Sequence, residues 1–277
     1  MDDARTILKQ KSKQAITGLS NSPNDNITNP DLQNITPFHC SADVQTNGRG
    51  RYDRTWISEP GNVYVTLALS APAQKDLSYY PYLIGLSVLD SVQTILQENN
   101  SNIPDVTLKW PNDILIDQQK CAGILMEIEN QTDEINVANR DRPPVCSSVL
   151  LIGIGVNIKH APSNTPYPTT CLNKHIDNSD EHGAPSPEKM IHRILNHFDH
   201  YESILQTNGF DPIRQKWLTH RDPGHSLMKI HQYRTKTDIT GQFHDISEQG
   251  ALCLETLNPE TQKKEITKIY AGDVFFL

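Results

Sequence analysis

The order of apolar segments between Val63 and Asn157 constrains the fold more than any other feature of this chain. Val63-Tyr64-Val65-Thr66-Leu67-Ala68-Leu69 reads as a strand, since β-branched and aromatic residues fill it and Pro60-Gly61 and Pro72 bound it. Next, Ile84, Val88, Val92, Ile95 and Leu96 recur at three-to-four spacing, which predicts a helix over about 83–97 with one apolar face laid on a sheet. Residues 106–110, 113–117, 122–129 and 149–157 then supply further strands, and 37–44 supplies a short one ahead of them. Helices and strands in this order predict an α/β or α+β sheet covered by helices on one side.

Before this block, residues 2–18 have helical composition, and 20–34 is rich in Asn, Ser, Asp and Pro, as a loop would be. Residues 129–147 are polar and read as a long hairpin connection, and a Pro- and Asn-rich loop follows over 160–170. Ser186 is a good N-cap ahead of Pro187, so a helix is expected over 188–205, with Met190, Ile191, Ile194, Leu195, Phe198, Tyr201 and Leu205 on its apolar face. A shorter helix is expected over 210–219, with Trp217 as a packing residue. Beyond Arg221-Asp222-Pro223-Gly224 the pattern changes to short strands and tight turns at 228–231, 237–246, 251–257 and 265–270, a spacing that fits a small closed barrel. The expected division is a large domain over 1–222 and a small one over 223–277.

Composition excludes more than it identifies. A formal charge of −8 argues against a general nucleic-acid surface. The five cysteines, at 40, 121, 146, 171 and 253, show no paired spacing, which points to reduced thiols in a cytoplasmic setting rather than a disulfide framework or a zinc site. The start MDDARTILKQ lacks the apolar core of a signal peptide, and no apolar run reaches the roughly 20 residues of a membrane helix. His192, His197 and His200 share one expected helix without an acidic or cysteine partner at ligand spacing, so no metal site is expected there.

Against that acidic background, Asn47-Gly48-Arg49-Gly50-Arg51-Tyr52-Asp53-Arg54-Thr55-Trp56 stands out. Its glycines allow close backbone approach, and Arg49, Arg51 and Arg54 offer charged planar forks suited to phosphate or carboxylate, although such a run can also be a solvated basic turn. Two further blocks accompany it: Leu108-Lys109-Trp110-Pro111-Asn112-Asp113-Ile114-Leu115-Ile116-Asp117, which runs on to Gln119-Lys120-Cys121-Ala122-Gly123-Ile124-Leu125, and the glycine-spaced strand ending at Asn157.

These three blocks, in this order, resemble the biotin protein ligases: the GRGRxGR-x-W loop, the KWPND strand with its K-x-A-G-I-L partner, and the G-I-G-x-N strand. Pro168-Thr169-Thr170-Cys171-Leu172 resembles the family's P-x-A-T-S-L segment, with Thr169 where alanine is usual, and Gly241-x-Phe243 with the turn 248–252 resembles its closing SH3-like barrel. The resemblance implies an α+β fold: a mixed sheet covered by helices, class II synthetase-like, followed by the barrel. It implies an enzyme that joins biotin and ATP into biotinyl-5'-AMP, then transfers biotin to a lysine of a biotin carboxyl carrier domain of a carboxylase. Mg²⁺ would accompany the ATP. No DNA or membrane partner is expected, no N-terminal DNA-binding domain is expected, and homodimerisation is left open.

By resemblance, Arg51 and Lys120 are the catalytic cations and Asp113 the group that orients or deprotonates the incoming lysine, besides holding Mg²⁺ through water. Positive groups aimed at developing charge suit a reaction that joins two anions and expels pyrophosphate. The biotin contacts implied are Gln45, Gly48, Arg49, Gly50, Arg51, Trp56, Lys120 and Gly123, with Gln45 able to both donate to and accept from the ureido ring. The adenylate contacts implied are Arg49, Arg54, Asn112, Asp113 and Asn157. Asp53 stands where the family has glycine, and Met1-Asp2-Asp3-Ala4-Arg5 resembles the start of the family's first helix, so its preceding strand and Ser-Thr-Asn motif are expected to be missing. Two other readings remain: a lipoate-type ligase, and a catalytically impaired protein that binds adenylate or carrier without turnover.

Overall fold

A computed structural model describes residues 37–100, 102–132, 146–177, 184–224, 227–233, 235–258 and 261–276. The expected helix over 2–18, the loop over 20–34, the N-terminal departure from the family pattern and most of the 129–147 connection lie outside these residues.

The larger sheet has six strands: β1 (Phe38–Ser41), β2 (Val63–Ser70), β3 (Val106–Lys109), β4 (Asp113–Ile116), β5 (Gln119–Thr132) and β6 (Cys146–Val156). Their spatial order is β1-β2-β6-β5-β4-β3, and every neighbouring pair runs antiparallel. The α+β class is as expected. Within it, the sheet expected to be mixed is antiparallel throughout, because β3, β4 and β5 return on one another through tight turns rather than through crossover helices. β5 and β6 are longer than their apolar cores suggested: eleven paired positions, from Ala122↔Val156 to Thr132↔Cys146, carry the ladder into polar residues.

Helix α1 (Tyr80–Asn99) packs on one face of this sheet and buries Leu83, Ile84, Leu86, Val88, Leu89, Val92, Ile95 and Leu96 in the core it shares with the sheet and the later helices. Two buried hydroxyls on α1 are satisfied within the helix, Ser87 donating to the Leu83 carbonyl and Ser91 to that of Ser87, each at 2.7 Å. Helix α2 (Pro187–Asn208) starts at the expected cap, with Ser186 Oγ accepting from the Lys189 amide at 3.3 Å. Helix α3 (Asp211–His220) follows, and its Trp217 is buried edge-on to Tyr82, in the packing role expected of it.

The C-terminal SH3-like unit is a five-stranded sheet in the order β10-β9-β8-β7-β11, built from β7 (Leu227–Gln232), β8 (Thr237–Ile246), β9 (Leu252–Leu257), β10 (Lys264–Ile269) and β11 (Asp273–Phe276). β11 is an addition to the sequence-based reading. It pairs antiparallel with β7 through Asp273↔His231 to Phe276↔Met228. Both units share one apolar core, which runs from Val63 to Val274. Polar bonds reinforce the junction: Tyr82 Oη donates to the Gly250 carbonyl at 2.9 Å and Ser78 Oγ to that of Gln249 at 2.8 Å, while the Asp222 amide, donating to the Leu108 carbonyl at 2.7 Å, ties the end of the large unit to β3.

Candidate functional site

The sheet face away from α1 carries a cleft of about 400 Å³. Its floor follows from register. Asp113 pairs with Gly123, Gly123 with Gly155, and Gly155 with Tyr64, so these four residues form one row across β4, β5, β6 and β2. Directly paired residues project to the same face. The two central positions lack side chains, and the row is therefore a slot with Asp113 beside it.

The indole of Trp56 lies over that slot. A Cβ on Gly155 would sit 2.6 Å from Cε2 and Cζ2 of the ring, and one on Gly123 would sit 2.9 Å from Cζ3. Only glycine permits such an approach. Trp56 reaches this position because the arginine loop closes on itself: the Trp56 amide donates to Gly48 O at 2.9 Å, Gly50 N to Arg54 O at 2.5 Å, and Arg49 bridges Thr55. The Trp56 Nε1 is buried without a hydrogen-bond partner among the described residues.

Lys120 owes its direction to a β-bulge. Ile114 pairs with Ala122 but Leu115 pairs with Lys120, so Cys121 is the extra residue on β5. That insertion inverts the alternation and puts Lys120 on the face of Asp113 and Gly123. Its Nζ lies 2.7 Å from Asp113 Oδ1, and 5.4 Å and 5.3 Å from the ring centroids of Trp56 and Tyr167. The lysine side chain is 11% exposed and the aspartate 20%, so the pair is neither dry nor freely solvated. Backbone bonds pin the bulge to the loop opposite, Lys120 N to Pro168 O and Thr170 N to Lys120 O, both at 2.9 Å. The bulged Cys121 points into the core, where burial pushes its thiol pKa far up and leaves it an inert packing group.

The arginines enter from the opposite wall. Arg51 to Asp53 form a single 3-10 turn, with Tyr52 in a left-handed conformation at φ 55°, ψ 49°. Arg51 Nη1 approaches Asn112 Oδ1 at 3.5 Å, the Gly272 carbonyl at 3.1 Å and Asp273 Oδ1 at 3.4 Å. Arg54 Nη2 bonds Asp273 Oδ2, and Arg49 faces Glu127 at 3.7 Å. Asn112 follows the cis Trp110–Pro111 peptide and is fixed by its Nδ2 donating to Ile124 O at 2.7 Å.

Gln45, Arg49, Gly50, Arg51, Arg54, Trp56, Asn112, Asp113, Lys120 and Gly123 thus line one cleft, although the chain separates the first and last by 78 positions (123 − 45). Gly48 lies behind the wall, its missing Cβ leaving room for the Trp56 carbonyl. Asn157 is not at the cleft. It is 3% exposed, donates Nδ2 to Thr170 O at 3.1 Å and its amide to Cys121 O at 2.8 Å, and so braces the bulge that aims Lys120. Sequence reasoning missed Tyr167, which stands next to the Pro168–Leu172 segment that had been singled out, and Asp273, for which no local signal existed. No cluster of three or more His, Cys, Asp or Glu side chains suited to a metal occurs among the described residues, and none of their helices is long and apolar enough to cross a membrane.

The family model described as the biotin/lipoate A/B protein ligase family matches residues 20–137, and that of the biotin protein ligase C terminal domain matches residues 234–277. The chain belongs to the biotin protein ligase family. It is 31% identical over 240 residues to the bifunctional ligase/repressor BirA of Bacillus subtilis, an alignment that takes in 84% of this chain and 64% of that relative's length. It is 29% identical over 217 residues to the biotin–[acetyl-CoA-carboxylase] ligase of Paracoccus denitrificans, covering 76% of this chain and 80% of the relative. Among solved structures, the biotin protein ligase of Aquifex aeolicus in complex with biotin and ATP superposes with a TM-score of 0.63 at 23% identity, covering 86% of this chain and 87% of that one. The Leishmania major biotin protein ligase in complex with biotinyl-5-AMP gives 0.52 at 20% identity, covering 85% and 89%. At these identities the structures speak for the shared fold alone, and this member of the family carries its cleft on the same scaffold.

Proposed function

We propose that the chain is an ATP-dependent ligase that forms biotinyl-5'-AMP from biotin and ATP and transfers the biotin to a lysine of a biotin carboxyl carrier domain. The observation that carries this reading is the convergence of Lys120, Arg51, Arg54 and Arg49 on one cleft floored by the Gly123–Gly155 slot. In the first half-reaction a biotin carboxylate oxygen bonds to the α-phosphorus and the bond to the pyrophosphate oxygen breaks. Two anions must meet, so the cations at the cleft offset their repulsion, and those already fixed in place cost little reorganisation. Lys120, held among Trp56, Tyr167 and Asp113, is placed for the oxygens of the new mixed anhydride, and Arg51 and Arg54 for the phosphate chain.

In the second half-reaction the carrier lysine nitrogen bonds to the acyl carbon, the acyl–phosphate oxygen bond breaks, AMP leaves and the amine gives up a proton. Asp113, which lines the cleft beside Lys120, is the carboxylate assigned to orient that amine or take its proton. Trp56 contributes an apolar wall for the bicyclic ring, and Gln45 the amide for its ureido group. Mg²⁺ would arrive with the ATP and add positive charge at the phosphates. Asp113 and Asn112 would supply oxygens to hold it, in keeping with magnesium's use of few protein ligands alongside phosphate oxygens. The C-terminal match favours this reading over a lipoate-type ligase.

Biotin-dependent exchange of labelled pyrophosphate into ATP tests the proposal. Exchange is expected in the chain as it stands and is expected to fall by about a hundredfold or more in Lys120→Ala, the scale of one preorganised donor. Exchange that survives in the variant would remove Lys120 from the mechanism, and exchange with lipoate in place of biotin would transfer the reading to the other branch of the family.

A further inference from the structure

Each arginine of the cleft, and Lys120, faces a carboxylate. Arg49 faces Glu127 and Lys120 faces Asp113, both on the large sheet that carries the cleft. Arg51 and Arg54 instead share Asp273, at the first residue of β11 in the C-terminal sheet and 222 positions from Arg51. Asp273 Oδ2 also accepts from the Tyr233 hydroxyl at 3.2 Å, and its side chain is 11% exposed. The neighbouring Gly272 carbonyl takes a bond from Arg51 Nη1, while Arg51 Nη2 donates to the Tyr52 hydroxyl at 2.9 Å. Tyr52 in turn stacks on Tyr233, with ring centroids 3.5 Å apart and planes 19° from parallel. Both terminal nitrogens of Arg51 are therefore taken by the protein's own acceptors. Tyr52 keeps a left-handed backbone that bulky residues adopt only where contacts hold it.

We propose that Asp273 is an anion placeholder: it occupies the Arg51–Arg54 fork that a nucleotide's phosphate chain takes on binding, and it yields that fork when phosphate replaces it. This rests on reading the cleft as a nucleotide site. Asp273 is then a positioning residue, acting through Arg51 and Arg54. A polyphosphate wins the exchange because it brings more charge and more acceptor oxygens to the same planar donors. The Gly272 carbonyl and the Tyr52–Tyr233 stack do not depend on the carboxylate, so the loop stays over the cleft after the exchange. The opposite arrangement, in which Asp273 remains bound to the arginines and orients them toward ligand, predicts the opposite sign in one measurement.

That measurement is calorimetric titration of the full chain with inorganic tripolyphosphate, for wild type, Asp273→Asn and Tyr233→Phe, each first shown to melt cooperatively. Loss of the competing carboxylate is expected to tighten binding about tenfold, the scale of a part-buried charge pair, while Tyr233→Phe, which keeps the carboxylate, changes affinity little. In exchange kinetics the KM for ATP falls in Asp273→Asn and the KM for biotin does not. Asp273→Ser gives the same readout if the asparagine variant does not fold. Unchanged or weaker tripolyphosphate binding in a folded variant would overturn the placeholder. A wild-type chain that shows no biotin-dependent exchange, yet binds tripolyphosphate more tightly once Asp273 is neutralised, would count against the ligase reading and leave this one standing.

Discussion

Gly155→Ala tests the slot directly, because its effect changes sign with the residue at position 56. Gly155 lies in β6 without a positive φ, so its backbone accepts alanine. Such a substitution ordinarily stabilises by roughly 0.4–1 kcal/mol, through lower entropy of the unfolded chain. Here the added methyl would lie 2.6 Å from two carbons of the Trp56 ring and 2.9 Å from its nitrogen, against the roughly 3.5–4.0 Å of a normal contact. The ring must withdraw by about 1 Å, and overpacking of this kind costs about 1–3 kcal/mol. The net expectation is a loss of about 1–2 kcal/mol, or roughly 2–6 °C in Tm. Thermal melts of wild type, Gly155→Ala, Trp56→Ala and the double variant close a cycle. In the Trp56→Ala background nothing opposes the methyl, and the alanine should become stabilising. Exchange activity should fall with the KM for biotin rising, since the wall of the slot has moved. A Gly155→Ala cost that persists unchanged without the tryptophan would refute the argument.

Other perturbations follow from groups away from the cleft. Asp90 on α1 accepts from Tyr201 on α2 and from Lys216 on α3 at 2.8 Å, with its side chain 14% exposed; Asp90→Asn is expected to cost about 2 kcal/mol by denaturant melting, and a change below about 0.5 kcal/mol would show that the three helices do not depend on this knot. His175 is bonded to Thr170 Oγ1 at 2.7 Å and lies 3.7 Å from Asp117, and burial lowers its pKa below the ordinary 6.5, more strongly than Asp117 raises it. Its folded form therefore binds fewer protons than its unfolded form, so its contribution to stability is full above pH 6.5 and is lost as pH falls below that value. His175→Gln should flatten the slope of stability against pH just below 6.5; an unchanged slope would assign it elsewhere, His197 being the first candidate since burial lowers its pKa too.

Local chemistry was the legible part of this chain. Helix α1 announced itself through three-to-four spacing, α2 through Ser186 and Pro187, and β8 over 237–246 through its flanking turns, because each depends on residues adjacent in sequence. The arginine loop and the Lys109–Asp113 block were likewise readable, since glycine, proline and charge clusters carry their meaning locally. β11 was not, because four residues carry too little period to mark a strand and its existence depends on pairing with β7, more than forty positions earlier (273 − 231 = 42). With β11 went Asp273 and the contact between the two sheets. Asn157 was singled out for a ligand-facing role, and the structure instead places its amide under the bulge; sequence shows that an amide is needed there but not which way it faces.

Lys120 marks the boundary between these two kinds of information. In a regular strand paired from Gly123 onward, residues 123, 121 and 119 would face the cleft, and Lys120 would point toward the helices. A lysine there would be buried against α1 without a partner, a cost of several kcal/mol. The single bulge at Cys121 removes that conflict by exchanging the two faces, which sends the thiol into the core and the ammonium to Asp113. One extra residue therefore decides whether the motif K-C-A-G is a buried charge or the centre of the cleft. The bonds that hold the bulge come from Pro168, Thr170 and Asn157, on segments well removed from it in sequence. The chemistry of the motif and the register that makes it usable are thus encoded in different parts of the chain, and the second becomes visible only once the strands are paired.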